Sequence, residues 1–153
     1  MPPFSASDHI TLLAFDFGTQ KIGLAVGQTV TLTTTALPEI KATNGQPNWD
    51  QLADIINEWQ PDGFVVGLPL LMDGSEFDMT QRARKFANRL HGRFGKPCFT
   101  MDERLSSFEA RETARQTRQR QERVDSIAAS LILQTWFAEY WPPDIDHEQG
   151  RLI

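Results

Sequence analysis

Leu12-Leu13-Ala14-Phe15-Asp16-Phe17-Gly18-Thr19-Gln20-Lys21-Ile22-Gly23-Leu24-Ala25-Val26 is the stretch on which the fold turns. Residues 11 to 17 read as a buried strand, Gly18-Thr19-Gln20 as a turn, and Ile22 to Val26 as a second strand. Asp16 stands in the middle of the first apolar run. An ionised carboxylate inside an apolar element costs several kcal/mol, roughly, unless something pairs with it. No Lys or Arg lies beside it within the strand, so a bound divalent cation is a natural partner.

Working outward, Gly27-Gln28 turns the chain into Val30 to Thr35, a β-branched third strand that should complete an antiparallel meander. Lys41 to Pro47 reads as a loop. Asn48 with Gln51 resembles a capping box, opening a helix with Trp49, Leu52, Ile55, Ile56 and Trp59 at helical spacing. Phe64 to Leu68 is a short apolar strand. Asp78 with Gln81 caps a second helix, and Gly95-Lys96-Pro97 breaks it before the strand Cys98 to Met101. Ser106 with Glu109 opens a third helix to about Arg118, and a last helix spans roughly Val124 to Trp141. The order β-β-β-α-β-α-β-α-α predicts an α/β fold: a mixed five-stranded sheet with helices on both faces, the layout of ribonuclease-H-like domains. A single domain over residues 1–141 and a disordered tail over 142–153 are expected from this pattern.

Two further carboxylates occupy positions comparable to that of Asp16. Glu103 follows the strand at Cys98, and Asp125 opens the apolar run from Ile127 to Leu133. Hydrolysis of a phosphodiester needs an activated water, charge neutralisation and a stabilised leaving oxygen, which two Mg²⁺ or Mn²⁺ ions can supply together. Such ions prefer hard oxygen ligands and keep several waters, so Asp16, Glu103 and Asp125 form a sufficient catalytic and metal-ligating set. Each has a plainer alternative: Asp125 as a first-turn acid favoured by the helix dipole, Asp102 and Glu103 as loop charges beside Arg104. The three histidines are scattered without ligand spacing, which argues against zinc. Cys98, the only cysteine, suits a buried structural thiol.

The net charge of −5 conceals a segregated distribution. Residues 82–123 hold 12 of the 15 Lys and Arg against five acids, a local net of +7. Phosphate binding depends on such a local footprint. Arg82, Arg84, Lys85, Arg89 and Arg93 could equally be the solvated face of a helix. Arg104, Arg111, Arg115, Arg118, Arg120 and Arg123 are all arginine, suited to bidentate phosphate contact. Together with Lys21 they are the nucleic-acid-binding candidates. No apolar run approaches the roughly 20 residues of a membrane span, and no secretory signal is visible. A cytoplasmic protein is expected.

Asp16-Phe17-Gly18-Thr19-Gln20-Lys21-Ile22-Gly23-Leu24-Ala25, Val66-Gly67-Leu68-Pro69, Asp102-Glu103-Arg104-Leu105-Ser106-Ser107 and Asp125-Ser126-Ile127-Ala128-Ala129 resemble motifs of the YqgF/RuvX family, in order, from about Leu12 to Trp136. The resemblance implies a small ribonuclease-H-fold nuclease related to Holliday junction resolvases and processing the 5′ end of pre-16S rRNA. It puts the family's acidic triad on Asp16, Glu103 and Asp125; the exclusion of Asp102 rests on that pattern alone. The linker Gln116 to Arg123 departs from the family's lysine- and glycine-rich habit by lacking glycine. Two alternatives stay open: resolution of DNA junctions, which should require a symmetric dimer, and a non-catalytic RNA-binding ribosome-assembly factor. Monomer and homodimer are both compatible with the sequence. An actin-like nucleotide-binding reading of Asp16 to Thr19 lacks the second domain that such a site needs.

Overall fold

A computed structural model describes residues 4–105, 127–142 and 151–152. Its sheet has the order β4 (Gln46–Pro47), β3 (Thr33–Thr43), β2 (Lys21–Gln28), β1 (Thr11–Asp16), β5 (Gly63–Leu68), β6 (Cys98–Asp102) and β7 (Arg151–Leu152). The first three strands are β1 (Thr11–Asp16), β2 (Lys21–Gln28) and β3 (Thr33–Thr43), an antiparallel meander as expected. β5 (Gly63–Leu68) and β6 (Cys98–Asp102) run parallel to β1. These five are flanked by two-residue strands, β4 (Gln46–Pro47) and β7 (Arg151–Leu152). β7 pairs with β6 inside the C-terminal stretch expected as a tail.

The helices α1 (Trp49–Trp59) and α2 (Asp78–Phe94) cover one face, and α3 (Ile127–Tyr140) covers the other. Strand alternation decides which side chain meets which layer. Leu13 and Phe15 point to the α1/α2 layer with Phe64, Val66, Phe86 and Leu90. Leu12 and Ala14 point to α3, with Val65, Phe99, Met101 and Trp136. β5 is buried along its whole length, as a central strand covered on both faces must be.

α3 approaches the meander closely because its face of β1 to β3 carries small residues: Ala14, Ala25, Gly27 and Ala36. A Cβ on Gly27 would stand 2.8 Å from both Leu133 Cδ2 and Phe137 Cε2, and 2.9 Å from the Thr33 carbonyl oxygen. Ser130 and Thr34 hydroxyls, 2.6 Å apart, fix the N-terminal half of α3 on β3.

Three local readings are corrected. The third strand begins at Thr33, because pairing with β2 resumes at Gln28↔Thr33 and residues 29–32 make the turn; Val30 and Leu32 are therefore exposed. The Lys41–Pro47 loop is instead the end of β3 and a hairpin: Asn44 and Gly45, at φ 51° and 81°, form the two-residue turn that Asn-Gly favours. Pro38 is tolerated inside β3 because the register shifts there, with Ile22 facing Ile40 and Leu24 facing Leu37. In α2 the cap differs too: Phe77 is the N-cap, and the Thr80 hydroxyl, not Gln81, accepts from its N–H at 3.2 Å while donating to the Pro69 carbonyl. Asn48 caps α1 as read, accepting from the N–H groups of Asp50 and Gln51. The third helix expected from Ser106 lies outside the described residues.

Among the described residues no helix is long and apolar enough to cross a membrane. Cys98 is fully buried, and burial pushes its thiol up to about 12. A thiol reagent at pH 8 should therefore label Cys98 only when denaturant is added; labelling of the native protein at the unfolded rate would contradict this burial. Gly27→Ala should lower unfolding free energy by about 1–3 kcal/mol through overpacking against α3, read from urea denaturation.

Candidate functional site

Asp16 ends β1 instead of occupying its middle. Its place follows from alternation: after Leu12 and Ala14, Asp16 is the third residue of β1 on the α3 face. The same count along β5 gives Gly63, Val65 and Gly67, and along β6 Phe99, Met101 and then Glu103. At the ends of three adjacent parallel strands, Asp16, Gly67 and, one residue past β6, Glu103 thus fall on one face. The β1–β5 register pairs Phe15 with Val66, which carried one residue on sets Asp16 beside Gly67, about 5 Å away across one strand spacing.

Gly67 decides where the Glu103 carboxylate lies. Glu103 opens a single 3-10 turn, Glu103–Leu105, and its side chain folds back over β5. A Cβ on Gly67 would meet Glu103 Oε1 at 2.7 Å, Glu103 Cγ at 2.8 Å and Ile132 Cδ1 at 2.6 Å. Without a side chain there, Glu103 reaches across β5 toward the end of β1, with α3 behind it. Both carboxylates are half-buried.

The turn itself is held by Asp102, the last residue of β6, which alternation sends to the opposite face. Asp102 is buried, and its carboxylate accepts from three Arg104 donors: the backbone N–H at 2.8 Å, Nη2 at 2.7 Å, and Nε, which meets both carboxylate oxygens at 3.0 and 3.1 Å. The Arg104 Nη1 donates to the Met72 carbonyl at 3.1 Å, fastening the 69–77 loop. Asp102 raises the Arg104 pKa above its ordinary value through this hydrogen bond. The loop charges of the plainer reading are therefore a buried carboxylate and its bidentate partner. Ser75 belongs to the same loop, donating its N–H and Oγ to Asp73 Oδ1 at 2.8 and 2.5 Å.

Gly18 closes the β1–β2 turn: a Cβ there would stand 2.4 Å from the Lys21 carbonyl oxygen. Lys21 opens β2, exposed, and alternation against buried Ile22 puts it on the α3 face, near the acids. Arg104 is directed to Asp102 and the loop. Arg111, Arg115, Arg118, Arg120, Arg123 and Asp125 lie outside the described residues. α3 begins two residues after Asp125 and packs on the face that carries Asp16 and Glu103. Among the described residues no group of three His, Cys, Asp or Glu side chains gathers in metal-binding proximity.

Sequence reading gave Gly67 no role of its own and took Arg104 as a phosphate contact or a loop charge's neighbour, not as the fork on a buried Asp102. Gly67 had a signal, since glycine inside a strand marks close approach of another group. The pair had none beyond adjacency.

Comparison with known proteins agrees with this architecture. The profile of a family described as RuvX, Holliday junction resolvase, matches residues 10–139. A protein of Actinobacillus pleuropneumoniae named "Putative pre-16S rRNA nuclease" is 55% identical over 131 residues, covering 83% of this chain and 96% of its own. Proteins of the same name from Mannheimia succiniciproducens and Saccharophagus degradans are 54% and 51% identical, each covering 86% of this chain and 96% of its own. Among solved structures, Thermus thermophilus RuvC in complex with a Holliday junction substrate superposes with a TM-score of 0.51 at 16% identity, covering 83% of this chain and 92% of that one. A second structure of Thermus thermophilus RuvC gives 0.51 at 14% identity, covering 84% of this chain and 95% of that one. At that identity the likeness shows the fold, which is ribonuclease-H-like.

Removing the Arg104 guanidinium would leave the buried Asp102 carboxylate without its bidentate partner. Arg104→Ala should lower the thermal midpoint, and Arg104→Lys should recover only part of the loss because a lysine cannot form the fork. Equal midpoints for all three proteins would show that the pair does not hold the turn.

Proposed function

The chain belongs to the YqgF/RuvX family, and on that premise we propose that it is a nuclease hydrolysing phosphodiester bonds in structured RNA, at the 5′ end of pre-16S rRNA. The observation that carries the reading is the placement of Asp16 and Glu103 on one face, on either side of Gly67, where the parallel strands β1, β5 and β6 end. The names of the relatives support RNA as the substrate and ribosomal RNA processing as the role. Action in the cytoplasm belongs to the same reading.

In this proposal Asp16, Glu103 and Asp125 are the catalytic acids. Their hard oxygen donors suit Mg²⁺ or Mn²⁺ rather than a softer metal. When bound, such ions supply neutralisation of the phosphate and a water of lowered pKa. The chain's own part is positional. The β1 backbone, hydrogen-bonded on both sides, fixes Asp16. Gly67 leaves the space that Glu103 fills, and the Asp102–Arg104 fork keeps the following turn from swinging Glu103 away. Lys21 is available on the same face to meet a phosphate oxygen.

The family description and the RuvC-like fold also favour a second reading, cleavage of four-way DNA junctions. One experiment separates them: purified wild type and Asp16→Asn are incubated with Mg²⁺ or Mn²⁺ and either a pre-16S 5′-leader RNA or a four-way DNA junction. The wild type should cut the RNA, and Asp16→Asn should fall to background while still binding it. Cutting of the junction alone would establish the second reading; binding without any cutting would make the protein an RNA-binding assembly factor. Gly67→Ala should reduce cutting by about 10–100-fold, as loss of a ligand's support does, with the rate measured on the same RNA.

A further inference from the structure

The cations of α2 divide by what they touch. Arg84 pairs with Glu76 through two hydrogen bonds of 3.0 Å, and Arg93 stacks over the Trp49 ring at 4.2 Å. Those two have structural partners. Arg82, Lys85 and Arg89 recur at i, i+3 and i+7 and so share one helix face over roughly 10 Å of rise. That face forms one wall of a cleft of about 300 Å³. The opposite wall is the β3–β4 turn, Asn44 to Gln46, and Phe17 contributes from below.

Within the cleft Arg82 is a brace. Its Nε donates to Asp78 Oδ2 at 2.9 Å and its Nη1 to Asn44 Oδ1 at 3.0 Å, tying the helix to the turn. Arg82 occupies one acceptor position of the Asn44 oxygen, and the Asn44 NH2 group brings two N–H donors to the cleft. The Asp78 charge is balanced by Arg82. Lys85 and Arg89 remain, exposed on a concave wall and in no ion pair among the described residues. Two uncompensated cations and amide donors around a concavity favour an anion.

We propose that this cleft binds backbone phosphates of the nucleic acid, as a contact separate from the acidic site. The position favours a polymer over a free anion. Phe17 directly follows Asp16, and alternation turns its ring to the α1/α2 face. The cleft therefore opens at the same end of the sheet as the acids but on the opposite face. A strand that passes over the sheet edge from Asp16 arrives at Lys85 and Arg89. The inference rests on the nuclease reading for the identity of the polyanion.

The test is binding, without turnover. Fluorescence anisotropy of a labelled single-stranded RNA is measured from about 50 to 200 mM salt in the Asp16→Asn background, with and without Lys85→Gln plus Arg89→Gln. Arg82 is left in place because it braces the cleft. The double substitution should weaken binding about tenfold at low salt and flatten the slope of log K against log salt by about 1.4, the value for two phosphate contacts on a single strand. Each single substitution should flatten it by about 0.7, which keeps the test usable if the double variant unfolds. Unchanged affinity and slope would overturn the proposal. So would displacement of the RNA by inorganic phosphate as effectively as by an unlabelled oligonucleotide at equal phosphate concentration, the behaviour of a free-anion site. Failure of the nuclease reading shows elsewhere: the protein with Asp16 intact would cut nothing while the slope change persisted.

Discussion

Two carboxylates brought to one end of a sheet repel each other, and the architecture around them answers that constraint. A fold accepts such a cost only where rigid elements leave the groups no other position. Here the rigidity is that of three hydrogen-bonded parallel strands, whose alternation sends Asp16 and Glu103 to the same face. Gly67 between them removes the side chain that would otherwise keep them apart.

Charge is sorted by the same alternation. The α3 face ends in acids. The opposite face carries Asp102 with its arginine fork and, farther along, the basic wall of α2. The net negative chain thus presents both signs at one end of one sheet, separated by the thickness of the β-layer.

Much of this was legible in the sequence because it depends on period and punctuation. The five main strands, the capping of α1, the buried thiol and the candidacy of Asp16 and Glu103 all follow from local patterns. What escaped depended on pairing. Val30 and Leu32 look like strand residues until the β2–β3 register requires a turn there. Asn44-Gly45 is a strong hairpin signal, but its second strand is only two residues long and so reads as loop. Asp102 and Glu103 are neighbours of the same type, and composition cannot separate them; the alternation of β6 does, by burying one under Arg104 and turning the other to α3. Gly67 needed the register of β1 against β5 before its role was visible. The arginine-rich segment and Asp125 lie outside the described residues, so their share of the site remains a reading of the sequence.

If Asp16 and Glu103 act as one oxygen-donor site, a divalent cation needs both. Mn²⁺ titration followed by electron paramagnetic resonance tests it most directly, comparing wild type with Asp16→Asn and Glu103→Gln. The wild type should bind Mn²⁺ saturably, and both single variants should lose that binding while keeping their thermal midpoints. Wild-type Mn²⁺ affinity in either variant would contradict it.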